Sequence, residues 1–261
     1  VKADPILSRE FFTAPALITY YYGFNNTRPP MDNPLVRKAF TASIDRQTLI
    51  DTVTKGGQSP ALTFTAPGNF GAIDPSEGIG IPFDPAQARQ YLAQAGYPGG
   101  EGLPEITLMH NTSEGHQKIA EAIQAMWKEH LGVEVKIINQ EWGVYLDTLS
   151  TDAPHVYRLG WGSDYPDANN WLNEVFHSTS GNNFANFSNA RFDQLVEAAA
   201  SEQNPDTRLS LYKEAETILS QDEAGIAPIY FYTTVQLTKP YLVRTYAPFG
   251  GEQFRNWILN R

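Results

Sequence analysis

Residues 106–142 read ITLMHNTSEGHQKIAEAIQAMWKEHLGVEVKIINQEW, and this stretch decides the fold class. Residues 106–110 have the apolar, β-branched make-up of a short strand, and 117–131 form an amphipathic helix stopped by Gly132. Residues 133–138 alternate in part, as a second strand does. Strand, helix, strand is a βαβ unit, which normally carries parallel strands and a right-handed crossover.

Working outward, the alternation continues. Upstream, Asp84-Pro85 caps and opens a helix that Gly96 ends. Asp32 and Asn33 stand before Pro34 as caps for a helix bearing Leu35, Ala39, Ala42 and Ile44, and Asp45 caps another running to Val53. Residues 17–24 (LITYYYGF) are a buried strand entering a loop. Between Lys55 and Pro82, Gly and Pro are dense and no period is sustained; an irregular segment this long in a compact domain usually works or covers another surface. Downstream come a helix at 142–150, a strand at 156–161, helices at 171–176, 190–201 and 205–220, and a strand at 226–232. The expected fold is therefore α/β, a mostly parallel sheet flanked by helices. After Gln236 the chain turns irregular and aromatic (Tyr241, Tyr246, Phe249, Phe254, Trp257), with Pro240 and Pro248 limiting regular structure.

Composition narrows function. The 261 residues are 41% hydrophobic and 12% aromatic, enough for a core without staples. The net charge of −10 (19 basic against 29 acidic) with no basic block argues against sequence-independent nucleic-acid binding. Zero Cys removes disulfides, thiolate metal sites and a cysteine nucleophile. No run approaches the roughly 20 apolar residues of a membrane span, so no direct membrane insertion is expected. The histidines at 110, 116, 130, 155 and 177 lack metal-ligand spacing, and nucleophile-elbow and phosphate-loop motifs are missing; neither metal nor cofactor is expected. Acidic pairs such as Asp222-Glu223 read as solvated surface rather than a hydrolase site.

One segment stands apart: RLGWGSDYPD, 158–167. A strand runs into two glycines around Trp161, then a carboxylate, before Pro166 turns the chain. Glycines at 160 and 162 let a ligand approach the backbone, and an acid beyond the carboxyl end of a parallel strand faces the crevice where open α/β sheets bind ligands. The residues alone leave open whether Asp164 or Asp167 meets a ligand or caps the helix carrying Trp171.

In that order the features resemble the C-terminal lobe of the family 5 extracellular solute-binding proteins of ABC importers, within them the oligopeptide binders. The resemblance runs from about Tyr20 to Tyr232 through PPMDNPLVRKAF, Ile44-Asp45-Arg46, FDPAQARQYLAQAGY, the stretch from NTSEGHQKIAEAIQ to NQEW, RLGWGSDYPDANNWL and APIYFY. It implies a type II periplasmic-binding-protein lobe that closes with a second lobe on an oligopeptide and hands it to the permease's transmembrane subunits, outside the cytoplasmic membrane. Carried over by position, Asp164 matches the aspartate that pairs with the ligand's α-amino group, and Arg158 and His116 match cationic positions for its carboxylate. Trp142 and Trp161 match aromatics of side-chain pockets, and Tyr232 matches a tyrosine near the ligand backbone. The residue types keep plainer readings beside these: His116 as a surface residue at a helix start, the aromatics as core. Leu149 departs from the pattern, since some oligopeptide binders carry a basic residue there.

The resemblance also implies a missing N-terminal lobe. Residues 1–19 are expected to enter from it, 20–235 to form the ligand-binding lobe and 236–261 to return to it. The 261-residue chain alone is then expected to bind peptide weakly or not at all, since one jaw buries only part of the ligand. Oligosaccharide, opine or nickel-complex ligands remain alternatives on the same fold.

Overall fold

The computed structural model describes residues 1, 3–247, 249, 251 and 253–260; Pro248 and residues 2, 250, 252 and 261 of the flanking segments lie outside the described residues. Its centre is a sheet of β1 (Phe11–Phe24), β2 (Ser59–Pro60), β3 (Ile106–Asn111), β4 (Val135–Gln140), β5 (Val156–Gly162) and β6 (Ile226–Leu237), in the order β2-β6-β1-β5-β3-β4. The three tyrosines at 20–22 show why this sheet is internal. Successive side chains of a strand leave opposite faces. Tyr20 and Tyr22 thus enter one core and Tyr21 the other, and all three are fully buried.

Helices α1 (Pro34–Ala42), α3 (Pro85–Gln94) and α4 (Glu114–Leu131) cover the Tyr20 face, where Trp127 is buried and donates Nε1–H to the Phe40 carbonyl at 2.9 Å. Burying such a side chain contributes about 2–3 kcal/mol. Helices α5 (Trp142–Asp152), α6 (Leu172–Phe176), α7 (Ala190–Ser201) and α8 (Pro205–Thr217) cover the Tyr21 face. A short helix, α2 (Arg46–Leu49), runs on through a π-helical turn to Thr54. Local chemistry sets the ends: Asn33, Asp45, Asp84 and Asn204 accept first-turn N–H groups, and Gly132 takes φ 73° after α4.

The βαβ unit read from 106–142 is present, β3 and β4 pairing in parallel from Ile106↔Val135 to Asn111↔Gln140, with β5 parallel on the other side of β3. Strand β1 pairs antiparallel with both β5 and β6. Among the described residues, four of the six strands (β3, β4, β5, β6) thus point one way, while β1 and two-residue β2 run against them. The sheet is mostly parallel in direction yet mixed in pairing, because β1 sits between β5 and β6. Its carboxyl-end rim gathers the ends of β3, β4 and β5 with the middle of β6.

The irregular segment covers the second face. Phe64 packs edge-on against Tyr21, Trp171 and Phe176. Glu216, fully buried, accepts from Phe64 N–H (2.6 Å), Thr65 N–H (3.1 Å), Thr65 Oγ1 (2.8 Å) and Ser220 Oγ (2.7 Å). Beyond the register irregularity between Pro15 and Thr19, β1 and β6 continue as a two-stranded ribbon, Phe11↔Leu237 to Pro15↔Thr233. The strands run unbroken through positions 19–20 and 235–236. The final segment packs on this ribbon: Thr238 N–H donates to the Glu10 carbonyl, Lys239 pairs with Glu10, and Tyr246 stacks on Phe12, while β7 (Leu242–Val243) pairs with β8 (Ile258–Leu259).

Candidate functional site

Two clusters lie along the carboxyl-end rim. The first is cationic and centres on Arg158, a buried residue of β5. Its guanidinium reaches along the strand over Gly160, where a Cβ would stand 3.6 Å from Nη2, 3.8 Å from the Tyr232 ring and 3.3 Å from the Thr19 carbonyl. A side chain at 160 would thus touch the guanidinium and Tyr232 at ordinary contact distance and crowd the Thr19 carbonyl. Nη2 donates to the Tyr232 hydroxyl at 2.6 Å, Nη1 to Asn111 Oδ1 at 3.1 Å, and Cζ lies 4.5 Å from the centroid of the Tyr20 ring. Nε has no hydrogen-bond partner, and among the described residues no carboxylate lies at ion-pair distance. A buried cation without a countercharge costs several kcal/mol of desolvation. Neutral acceptors and a π face offset only part of that cost, so the site favours an anion.

His116, half-buried in the first turns of α4, joins this cluster through Tyr20, ring centroids 5.6 Å apart. Burial, then the charge of Arg158, push its pKa down to about 4, so the imidazole is neutral at pH 7. His110 is not part of this surface: it is buried, Nδ1 against the Asn111 carbonyl and Nε2 against Gln117 Oε1.

The second cluster is acidic and aromatic. Asp164 is exposed beyond the end of β5, and no Lys or Arg among the described residues pairs with it. Its main-chain N–H donates to Asn170 Oδ1 at 2.9 Å, and its Oδ2 accepts from Asn170 Nδ2 at 3.1 Å. Trp161, half-buried, points Nε1 at the same Oδ1, 3.4 Å away. The capping question resolves in favour of Asp167: it accepts from Asn169 N–H at the turn Ala168–Asn170 and is held bidentately by Arg208 at 2.7 and 2.8 Å. Asp167 is thereby neutralised, while Asp164 has no countercharge among the described residues.

Gly162 lies between the clusters, where a Cβ would meet Ile18 at 3.2 Å. Trp142, 45% exposed at the start of α5, stacks on Tyr145, whose hydroxyl donates to the Arg158 carbonyl from the other face. Leu149 is buried in the core and does not line the rim. The structure thus joins Arg158, Gly160, His116 and Tyr232 in one group and Asp164 and Trp161 in another, and adds Tyr20, Asn111 and Asn170, which sequence reasoning missed. A cavity of about 560 Å³ lined by Arg46, Leu62, Ile79, Phe83 and Phe231 contains none of these residues. No helix among the described residues is long and apolar enough to cross a membrane, and no group of three or more His, Asp or Glu there is placed to hold a metal ion.

Residues 1–183 match the family model "Bacterial extracellular solute-binding proteins, family 5 Middle". The chain is 38% identical over 242 residues to the oligopeptide-binding protein OppA of Bacillus subtilis, covering 91% of this chain and 44% of that one. It is 39% identical over 236 residues to the periplasmic murein peptide-binding protein MppA of Escherichia coli, covering 89% and 43%. Among solved structures, Escherichia coli MppA superposes with a TM-score of 0.81 at 36% identity, covering 97% of this chain and 50% of that one. Haemophilus influenzae OppA in complex with RPPGFSPFR gives 0.80 at 31%, covering 97% and 50%. The chain spans about half the length of the relatives it matches, and those relatives are binding proteins by name.

Proposed function

The chain belongs to the family 5 bacterial extracellular solute-binding proteins, and from that membership we propose that it is one lobe of a two-lobed clamp that binds short oligopeptides without chemical change. The observation that carries this reading is the placement, on one strand, of two opposite and unneutralised charges. Arg158 is a buried cation without an acid; Asp164 is a free carboxylate past the end of the same strand. A peptide zwitterion supplies what each lacks, an α-carboxylate for the guanidinium fork and an α-ammonium for the aspartate.

Trp142 and Trp161 serve as walls for ligand side chains, with Gly160 and Gly162 keeping the β5 backbone open and Tyr232 and His116 completing the carboxylate end. Residues 1–19 and 236–261 cross to the other lobe, the ribbon of β1 and β6 being the connection. Delivery to the transmembrane subunits of an ABC permease, from the periplasm or the outer face of the cytoplasmic membrane, follows from this reading. A neutral oligosaccharide would supply a countercharge to neither group. Mass spectrometry of what copurifies with the full-length polypeptide tests the ligand class: short peptides are expected, and oligosaccharide in their place overturns the proposal.

A further inference from the structure

We infer that Asn170 is the positioning residue of the ammonium site, holding the Asp164 carboxylate in the one orientation that leaves an oxygen free for ligand. This rests on the reading of Asp164 given above and adds to it a residue that does not touch the ligand.

Asn170 is fully buried, and its side-chain amide faces Asp164, Trp161 and Glu174. Its Oδ1 faces two donors, the Asp164 main-chain N–H at 2.9 Å and Trp161 Nε1–H at 3.4 Å; its Nδ2 faces two acceptors, Asp164 Oδ2 at 3.1 Å and Glu174 Oε2 at 2.7 Å. Turning the amide over would set oxygen against carboxylates and NH2 against N–H groups, so the network admits one orientation. Clamped at Oδ2 and at its own main-chain N–H, Asp164 presents Oδ1, which has no hydrogen-bond partner among the described residues.

The clamp is itself braced. The turn Ala168–Asn170 is capped by Asp167, which Arg208 fixes from α8, and the next residue, fully buried Trp171, donates Nε1–H to Ser163 Oγ at 3.0 Å. Two consecutive side chains thus reach back to two consecutive loop residues. A carboxylate whose rotamer is preset loses less freedom on binding an ammonium than one that must be ordered by the ligand. Asn170 is well chosen chemically: aspartate there would bring a third carboxylate between two others, and leucine would leave the Asp164 N–H without its acceptor.

The test is calorimetry on the full-length polypeptide with one peptide in free-amine and N-acetylated forms. Asn170→Ala is expected to weaken the free-amine peptide about tenfold, the loss of one charged hydrogen bond's worth of positioning, and to leave the acetylated one nearly unchanged. Added to Asp164→Ala it should cost nothing more. Asn170→Ser, which keeps one hydroxyl, should lie between wild type and Asn170→Ala and supplies the comparison if the alanine variant does not fold. Equal losses for the two peptides, or additive losses in the double variant, overturn the inference. Failure of the underlying reading is a different result: Asp164→Ala alone would then leave the ratio of the two affinities unchanged.

Discussion

Nη2 of Arg158 donates a 2.6 Å hydrogen bond to the hydroxyl of Tyr232, and that neutral hydroxyl, not a carboxylate, is what the buried guanidinium faces at the rim. Two other buried arginines are turned inward: Arg37 has Glu223 Oε2 at 3.5 Å, and Arg46 donates to the Pro228 and Ile44 carbonyls. The difference separates a cation that finishes its business within the lobe from one that waits for a partner.

Arg158→Met should therefore act in opposite directions on stability and binding. Without ligand the variant is expected to be as stable as the wild type or more so, by about 1–4 kcal/mol, because an uncompensated buried charge is replaced by an apolar chain. Binding of a free-acid peptide should fall at least tenfold, with the C-amidated peptide, already weak, changing little. Melting curves and calorimetry read both, and a variant that melts well below wild type would assign Arg158 to scaffolding.

His116 sets a pH dependence whose sign follows from its lowered pKa. The unfolded chain takes up its proton near the ordinary value of about 6.5, the folded chain only near 4. Between these values the unfolded state binds more protons, so stability falls as pH drops from about 6.5 toward 4. His155, also lowered, first by burial and then by Arg28, adds to the same slope. Chemical denaturation at pH 7 and pH 5 should show a smaller loss for His116→Gln than for wild type; an equal loss would mean that His116 is charged in the folded chain.

Glu216 is the matching prediction for the scaffold. Each carboxylate oxygen accepts from one backbone N–H, of Phe64 or Thr65, and from one hydroxyl. A glutamine amide in either orientation sets its NH2 against a backbone N–H that cannot turn. Both Glu216→Gln and Glu216→Ala should destabilise the chain by about 3–5 kcal/mol, the cost of buried donors without acceptors. At this chain length that lowers the melting temperature by about 6–20 °C. Because the Phe64 carbonyl holds Thr19 Oγ1, and Thr19 pairs with Trp161, the loss should reach the rim. A melting temperature unchanged in Glu216→Gln would contradict this account.

Much of the fold was legible because it is written locally. Asn33, Asp84 and Gly132 cap where the residue types say they do, and the β3, α4, β4 periodicity changes from two to 3.6 and back within 106–142. What periodicity does not encode is direction: 17–24 and 226–232 read as strands, but nothing in them shows that β1 lies between β5 and β6 and runs against both. The same limit applies to the site. Arg158, Gly160 and Asp164 share one strand and its extension and could be found together, whereas Tyr20 and Asn111 meet Arg158 through pairings across the sheet. Asn170 reads as one of two adjacent asparagines in a turn; only its burial among four polar partners separates it from Asn169.

The central claim, that Asp164 and Arg158 read the two ends of one zwitterion, is tested most directly by titrating the full-length polypeptide and its Asp164→Ala variant with a single tripeptide, free and N-acetylated. The account predicts at least a tenfold preference of the wild type for the free amine, and a variant that has lost that preference while still binding the acetylated peptide as the wild type does. Equal losses for both peptides in the variant, or no preference in the wild type, would contradict it.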